Sequence, residues 1–380
     1  MVIVLSVFLG LFVADAVLSV IDDSLSLFVN VHSLTAIRAI VALVDLAAGI
    51  VIYCLIGLTP LIPKRMFLPL TLFFLVAQLP VIPFLIYYPH QLQALAFALS
   101  LCQAILGIGI LYWALGGVKF RWPLLSEAQL GNRGFSWWNI SGFLFGNIVV
   151  LAPAVIVYLV VCAAFAVNQT TEGFLTVRPG GVTVQERKYV RNDGETVQLF
   201  PMIHIGDAEF YRKVSRSFPS NSVVLMEGVT DKRHLLTNGL SYRRVATKLG
   251  LHEQQKEFKP QEENIVWADV DVDKFSTNTI NLLNLVMRFY SKGFTAETLL
   301  ELLQYPQPPG FQDELMDDLL GKRNEHLLEK IHAELSPSKI VIVPWGAEHM
   351  PGIARELQKE GFHLDGTQDY LAIGFHGKSN

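Results

Sequence analysis

Charge is distributed very unevenly along the 380-residue chain, and this constrains the fold more than any motif does. Residues 1–167 contain only 11 charged side chains, which is about 7% of that segment, whereas a soluble domain carries about 25%. The other 213 residues contain 53 charged side chains, an ordinary soluble proportion. These counts exclude a wholly soluble enzyme and a disordered chain. They predict a membrane domain over 1–167 and a soluble domain over 168–380.

The membrane domain is predicted to be polytopic and α-helical, because a bilayer-spanning helix needs about 20 mostly apolar residues. The first apolar stretch resembles a secretory signal in position, but no Lys or Arg precedes it and more spans follow, so a retained helix is expected. The five stretches that meet the length criterion are 2–21, 37–58, 66–88, 93–118 and 141–167.

The orientation of these spans follows from the basic residues in the short connections, which favour the cytoplasmic side. The second connection contains Lys64 and Arg65, and the fourth contains Lys119, Arg121 and Arg133. With five spans, the amino terminus is then cytoplasmic and the soluble domain is extracytoplasmic. The expected localisation is an integral, multi-pass membrane protein in contact with the lipid bilayer.

Asp45 lies deep in the second span, where an ionisable group is costly and is by default a functional candidate. Asp15 lies near the end of the first span, where a hydrated boundary also explains it. Two interpretations stay open, namely a helical anchor with interhelical packing, which we favour, and transport or proton relay through the helices.

The soluble domain is acidic and contains no cysteine, because all three cysteines lie inside the apolar spans. It has 24 basic and 29 acidic side chains, so its net charge of −5 gives no support for nucleic-acid binding. Short β-branched runs alternate with amphipathic stretches, beginning with a hairpin around the turn Asn192-Asp193-Gly194. This pattern predicts an α/β or α+β fold with a mixed sheet.

Three apolar runs in this domain each end in a residue type suited to catalysis. The run 196–203 leads to His204, followed by Gly206 and by Asp207 as the expected N-cap of a helix; 222–226 leads to Glu227, and 339–343 leads to the segment ending in His349. If the strands are parallel neighbours, these side chains meet at the carboxyl edge of the sheet. Two imidazoles and a carboxylate could hold a divalent ion with a position open for water. Each residue alone is more often structural.

Two further groups have both a functional and an ordinary interpretation. Asp269, Asp271 and Asp273 alternate along a predicted strand and resemble a site for a hard cation, although a solvated strand edge explains them better. Arg323 and Asn324 lie on a long charged helix, where Arg323 could bind a carboxylate or an oxyanion and where a solvated face is the default.

Four blocks of this domain together resemble the TraB/PrgY/GumN family, which is related to the TIKI membrane metalloproteases. They are PMIHIGDAEFY, VVLMEGVTDKR, LLGKRNEHLLEKI and IVIVPWGAEHMPGIARELQKEGF, within about residues 197–361. The family has two GxxH motifs and a glutamate that are thought to serve metal-dependent hydrolysis. The second motif is intact from Gly346 to His349, but Pro201 replaces the glycine of the first.

The resemblance implies that His204, His349 and Glu227 hold a metal, with Glu227 also available as a base, and that Arg323 and Asn324 match the arginine–asparagine pair of the family. The leading hypothesis is a membrane-anchored, metal-dependent hydrolase of peptides or proteins outside the cytoplasm, using Mn, Co or Zn. The alternatives are a non-catalytic module that binds or sequesters a peptide and a transporter that uses the helical half. The substrate, the metal and the oligomeric state are not determined by the sequence.

Overall fold

The chain folds into two compact units, Met1–Ala163 and Ala164–Asn380, in a computed structural model that describes residues 1–236, 242–260, 264–292, 300–301, 305 and 308–375. The composition change predicted at Val167 lies four residues beyond this division. Each unit has a hydrophobic core of its own.

The first unit is helical. Its helices are α1 (Val2–Ser24), α2 (Thr35–Leu58), α3 (Lys64–Val76), α4 (Val81–Tyr87), α5 (Leu92–Leu115), α6 (Trp137–Phe145) and α7 (Ala152–Thr170), which continues past the division. A π-helical turn extends α1 over Leu25–Val29, and another joins α6 to α7 over Gly146–Leu151.

Five helical segments in the described residues are long and apolar enough to cross a bilayer, as predicted. The third is not one continuous helix, because α3 ends at Val76 and α4 begins after Pro80. Proline lacks a backbone N–H and restricts the residue before it, which interrupts the helical hydrogen bonds at that point. The five segments are Val2–Val29, Thr35–Leu58, Lys64–Tyr87, Pro89–Leu115 and Trp137–Thr170.

The second unit is built on a mixed sheet, which confirms the predicted α/β character. The strands are β1 (Leu175–Arg178), β2 (Gly181–Val190), β3 (Thr196–Met202), β4 (Ile205–Gly206), β5 (Val223–Met226), β6 (His252–Glu253), β7 (Ile265–Trp267), β8 (Ile340–Gly346) and β9 (His363–Gly374). β2 pairs antiparallel with β9 along its length and, on its other side, with β1 and then β3. The order then continues β3-β8-β5-β7, with all neighbours parallel. β4 and β6 form a separate small pair.

The predicted hairpin joins β2 to β3. Its turn places Gly194 at φ +88°, a conformation that glycine adopts without steric cost. This turn fixes the register in which Val190 pairs with Thr196. It therefore aligns β3, which provides one side of the candidate site, with the antiparallel part of the sheet.

Helices cover both faces of the sheet, since successive residues of β8 point to opposite sides. The helices of this unit are α8 (Ala208–Arg216), α9 (Arg243–Leu249), α10 (Gln254–Glu257), α11 (Thr277–Lys292), α12 (Phe311–Met316), α13 (Lys322–Ser338) and α14 (Met350–Lys359). Val341, Val343 and Trp345 pack into one core with α13 and α14, while Ile342 packs into the other with α8. A π-helical turn over Asp317–Gly321 joins α12 to α13.

Two strand boundaries differ from those that the sequence patterns predict, which are 264–270 for one strand and 370–375 for the last. β7 ends at Trp267 and does not continue to Val270, because the chain turns inward at Asp269. β9 begins at His363, seven residues before its predicted start, because most of its side chains are exposed and no apolar alternation marks them. The helix predicted over 296–303 lies largely outside the described residues.

Candidate functional site

The candidate site forms where the parallel strands end, as the strand-end argument predicts. β8 lies between β3 and β5, and β7 follows β5 at the edge. Four polar residues follow these strands along the chain, namely His204 after β3, Glu227 after β5, Asp269 after β7 and His349 after β8. Parallel strands bring such residues to one edge of the sheet.

Arg323 connects two of the acids at this edge. Its Nε donates to Asp269 Oδ1 at 3.0 Å, and its Nη2 donates to Asp269 Oδ2 at 2.7 Å and to Glu227 Oε1 at 2.7 Å. The side chain of Asp269 is fully buried, and those of Arg323 and Glu227 are 12% and 13% exposed. This is a largely desolvated network in which one guanidinium faces two carboxylates.

Backbone N–H groups also donate hydrogen bonds to both carboxylates. Gly346 N–H donates to Glu227 Oε2 at 2.7 Å, and Gly228 N–H donates to Asp269 Oδ2 at 3.1 Å. A charge-assisted bond of this kind is about twice as strong as one between neutral groups. The strand ends themselves therefore fix the orientation of Glu227.

His349 is held as a neutral base beside this network. Its Nδ1 lies 2.7 Å from Asn324 Oδ1, which can only accept, so Nδ1 carries the proton and Nε2 keeps its lone pair. Nε2 lies 3.8 Å from Glu227 Oε1. Burial, reinforced by the positive charge of Arg323, lowers the pKa of His349 from 6.5 to about 4. The imidazole is therefore uncharged at neutral pH.

Trp345 forms the floor of the site, a role that the sequence analysis missed. It is fully buried, its Nε1 donates to Leu225 O at 2.9 Å, and its ring meets the His349 ring edge-on at 5.2 Å. The guanidinium of Arg323 lies 5.4 Å from the same ring. The available signal was a tryptophan inside a buried strand, immediately before the glycine that contacts Glu227.

Two glycines leave space around these side chains. A Cβ on Gly346 would lie 3.5 Å from His349 Cδ2 and 3.6 Å from both carboxylate oxygens of Glu227, in ordinary contact. A Cβ on Gly352 would lie 2.7 Å from Asn324 Nδ2, which is too close without a shift of the amide. Glycine at position 352 thus leaves room for the Asn324 amide, which bonds to His349.

His204 is in a different environment from His349. Its imidazole is exposed and stacks on Tyr242, with ring centroids 4.9 Å apart and an interplanar angle of 10°. No ion pair joins it to Glu227 in the described part of the chain. It is nevertheless near enough that its charge contributes to the lowered pKa of His349.

Gly206 and Asp207 act in the scaffold. A Cβ on Gly206 would lie 2.9 Å from the carbonyl oxygen of Ala372, so the glycine permits a close approach of β9. Asp207 occupies the predicted N-cap position of α8, but its Oδ2 accepts from Gly374 N–H at 2.8 Å. The predicted N-cap position is therefore confirmed, but the carboxylate makes no cap bond to α8 and instead fastens β9.

The three alternating acids do not share one face of a strand. Asp269 is buried against Arg323, whereas Asp271 accepts from the Thr230 hydroxyl at 2.7 Å and caps a short 3₁₀ turn through Asp273 N–H. The structure therefore separates Asp269 from the other two, and neither a cation site nor a solvated edge describes it. The role of Asp269 follows from its contact with Arg323, and no local sequence pattern reveals that contact.

The fit of this site to a divalent ion is partial. His349 Nε2 has a free lone pair within 3.8 Å of Glu227 Oε1, and these two donors could share one ion. Among the described residues, however, no group of three His, Cys, Asp or Glu side chains is arranged to hold a metal. The sequence predicts His204 as the third metal ligand. To complete a three-ligand site, its imidazole would have to lie beside His349 Nε2 and Glu227 Oε1.

Comparisons of the chain with protein-family models, with curated proteins and with solved structures gave no match. The geometry of the site and the four sequence blocks are therefore the basis for a functional assignment.

Proposed function

We propose that this protein is a membrane-anchored hydrolase of peptides or proteins, whose active centre is formed by Glu227, His349 and His204 in a TraB/TIKI-like domain. The observation that carries the proposal is the neutral, buried imidazole of His349, oriented by Asn324 so that its free Nε2 is near Glu227. A histidine that stays unprotonated at neutral pH is suited to bind a metal or to accept a proton.

The membrane part of this proposal is supported by the surface of the helical unit. Ile40, Leu43 and Ile105 are each at least 65% exposed, and only 6% of the most apolar window of the fifth segment is buried. Water-soluble proteins rarely expose apolar patches beyond a few hundred Å². A bilayer removes this surface from water without any further protein contact.

The proposed orientation places the sheet unit outside the cytoplasm, because the basic residues cluster in alternate connections between the helical segments. A reporter that is active only in the cytoplasm, fused after Asn380, should be inactive. The same reporter fused near Arg133 should be active. A reversed pair of results would overturn the orientation.

The residues of the chain divide the catalytic work between them. Asn324 orients His349, and Gly346 N–H together with Arg323 fixes both oxygens of Glu227. A divalent ion such as Mn, Co or Zn, held by His349, Glu227 and His204, would lower the pKa of a bound water and polarise the scissile carbonyl. Arg323 is directed to internal acceptors, so we assign it a positioning role and not the oxyanion role that the sequence suggested.

The test is turnover of a mixed peptide library by the purified full-length protein, with metal content measured on the same sample. His349→Ala and Glu227→Gln should each reduce turnover at least about 100-fold, the usual contribution of a catalytic acid or base. His332→Ala is the matched control, because His332 is exposed and pairs with Glu360 on the surface. Unchanged turnover in His349→Ala, with no bound divalent ion in the intact protein, would falsify the hydrolase proposal.

A second function, non-catalytic peptide binding, is favoured by one observation. The described residues offer two preformed donors and not three, and His204 lies exposed on an aromatic ring. If the protein only binds peptides, binding should be saturable and should be unchanged in His349→Ala. No cleavage should follow the binding. Release of shorter peptides, detected by mass spectrometry, distinguishes the hydrolase from this alternative.

A further inference from the structure

The helical unit contains a row of buried polar side chains, which we call the polar seam. It lies where α1, α2 and α5 meet, and all of its members except Arg38 are buried. The members are Asp15, Ser19, Asp22 and Asp23 on α1, Arg38 and Asp45 on α2, and Ser100 and Gln103 on α5. Such groups are costly among apolar helices and point to a function by default.

At one end of the polar seam, two acids share the guanidinium of Arg38. Arg38 forms ion pairs with Asp22 and Asp23, and its Nε donates to Ser19 Oγ at 3.1 Å. Ser100 donates a further hydrogen bond to Asp23. At this end every acid therefore has a cation and at least one other donor nearby.

At the other end of the polar seam, two acids form no ion pair among the described residues. Asp15 Oδ2 accepts from Gln103 Nε2 at 2.8 Å, but its Oδ1 has no hydrogen-bond partner in the described structure. Asp45 is fully buried, and within the same described residues neither of its carboxyl oxygens has a partner. An isolated buried carboxylate costs several kcal/mol, so this end requires a positive charge from outside the chain.

Helix geometry places the two unsatisfied acids opposite each other. Arg38 of α2 pairs with Asp22 of α1, and the two helices run antiparallel through a short connection. Asp45 is two turns after Arg38, and Asp15 is two turns before Asp22, so each lies about 10 Å further along the same contact. The charges of Asp15 and Asp45 are close enough to interact.

We propose that Asp15 and Asp45, assisted by Gln103, form a binding site for one small monovalent cation, H⁺ or Na⁺. Both ions have the same relevant chemistry, because each neutralises one carboxylate and bridges to the other. Nothing else in the described part of the helical unit supplies this charge, since Arg38 is used by Asp22 and Asp23. The site is independent of the proposed hydrolase function, because its residues all lie in the first unit.

The experiment uses the full-length protein in detergent and two variants with matched chemistry. Asp45→Asn removes one ligand charge from the site with little change in volume, and Asp22→Asn is the control, because it makes the same substitution at an acid that is already paired with Arg38. NaCl is titrated against N-methyl-D-glucamine chloride at constant ionic strength. The thermal unfolding midpoint and the protons released into a weakly buffered indicator solution are recorded.

If the site takes Na⁺, sodium raises the midpoint of the wild type and releases protons, and Asp45→Asn weakens the apparent Na⁺ affinity at least about tenfold while Asp22→Asn does not. If the site takes only H⁺, sodium has no effect, and the wild type shows a protonated-carboxyl infrared band that responds to pH and is absent in Asp45→Asn. A folded wild type with neither a sodium response nor such a band overturns the proposal, as does an equal effect of Asp22→Asn. None of these readouts depends on peptide hydrolysis.

Discussion

The two units bury acidic side chains in opposite ways. In the sheet unit, Glu227 and Asp269 face one guanidinium and receive backbone N–H donors from Gly346 and Gly228. In the helical unit, Asp45 is fully buried, but its two oxygens have no partner within the described residues. The fold itself therefore fixes the positions of the acids in the sheet unit. In the helical unit it leaves the charge of Asp45 without a partner, so that a bound cation could neutralise it.

This contrast has a physical origin in the two kinds of structure. The ends of parallel strands expose backbone N–H groups that can donate to a side chain, as at Gly346. Helices use almost all of their N–H groups internally, so an acid inside a helical bundle depends on other side chains or on a bound ion. Substitutions of buried charges should therefore have very different effects in the two units.

The largest effect is expected when Arg323 is replaced. Arg323→Met leaves two buried carboxylates close together without a cation and should lower the free energy of unfolding by about 3–5 kcal/mol. Denaturant unfolding followed by tryptophan fluorescence measures this change. Arg212→Met is the control, because Arg212 pairs with Glu209 on an exposed helix face, where about 0–1 kcal/mol is expected. Equal effects of the two substitutions would show that the buried network adds no special stability.

A smaller effect is expected from pH. The pKa of His349 is about 4 in the folded protein and 6.5 in its ordinary state, so below pH 6.5 the unfolded chain binds a proton that the folded chain does not. The free energy of unfolding should therefore fall as the pH falls from about 6.5 to about 4, by about 3 kcal/mol in total. The wild type is compared with His349→Gln, which should lack this part of the dependence. Identical pH profiles would contradict the buried neutral state.

Activity should report the same pKa. If His349 acts as a metal ligand or base, only its protonated imidazole is inactive. Turnover should therefore fall at acidic pH with a midpoint near pH 4 and not near 6.5. An acidic limb well above pH 4 would contradict this assignment to His349.

A still smaller change is expected at Gly352. A Cβ there would lie 2.7 Å from Asn324 Nδ2, so Gly352→Ala should displace the amide and weaken its bond to His349 by about 1 kcal/mol. The imidazole resonances of His349 in NMR spectra would reveal the altered bond. Gly366→Ala is the control, because no heavy atom lies within 4 Å of a Cβ at that position. An unshifted His349 spectrum in Gly352→Ala would remove Gly352 from the supporting structure.

The smallest effect is expected in the helical unit. Asp45→Asn should lower the free energy of unfolding in Na⁺-free detergent buffer by no more than about 1 kcal/mol, because the carboxylate has no hydrogen-bond partner to lose in the described structure and its burial is itself unfavourable. Asp269→Asn, which breaks the contacts with Arg323, should be far more destabilising. A large loss of stability in Asp45→Asn would show that the buried acids of both units contribute to the free energy of unfolding in the same way.

The sequence predicts the location of the site because buried parallel strands leave a clear pattern. Continuous apolar runs that end in a polar residue mark β3, β5 and β8, and the convergence of parallel strands at one edge supplies the rest. The five apolar segments are predicted for a similar reason, since length and hydropathy alone define them.

The chemistry inside the site is less accessible to sequence reasoning. Asp269 looks like one of three solvated acids, and only the approach of α13 shows that it faces Arg323, 54 residues away. The protonation of His349 depends on Asn324, and the position of Asn324 depends on Gly352. These relations connect different elements of the fold, so no local pattern encodes them.

The pairing of β2 with β9 has a consequence for how the protein is made. β2 precedes every site residue along the chain, and β9 follows all of them, yet the two strands pair over ten positions. Closing a loop of this length is slow compared with local folding, because its entropy must be lost before any contact compensates for it. During synthesis, the sheet stays incomplete until His363–Gly374 has left the ribosome. Until then, the edge of β2 that pairs with β9 in the folded protein has no partner strand.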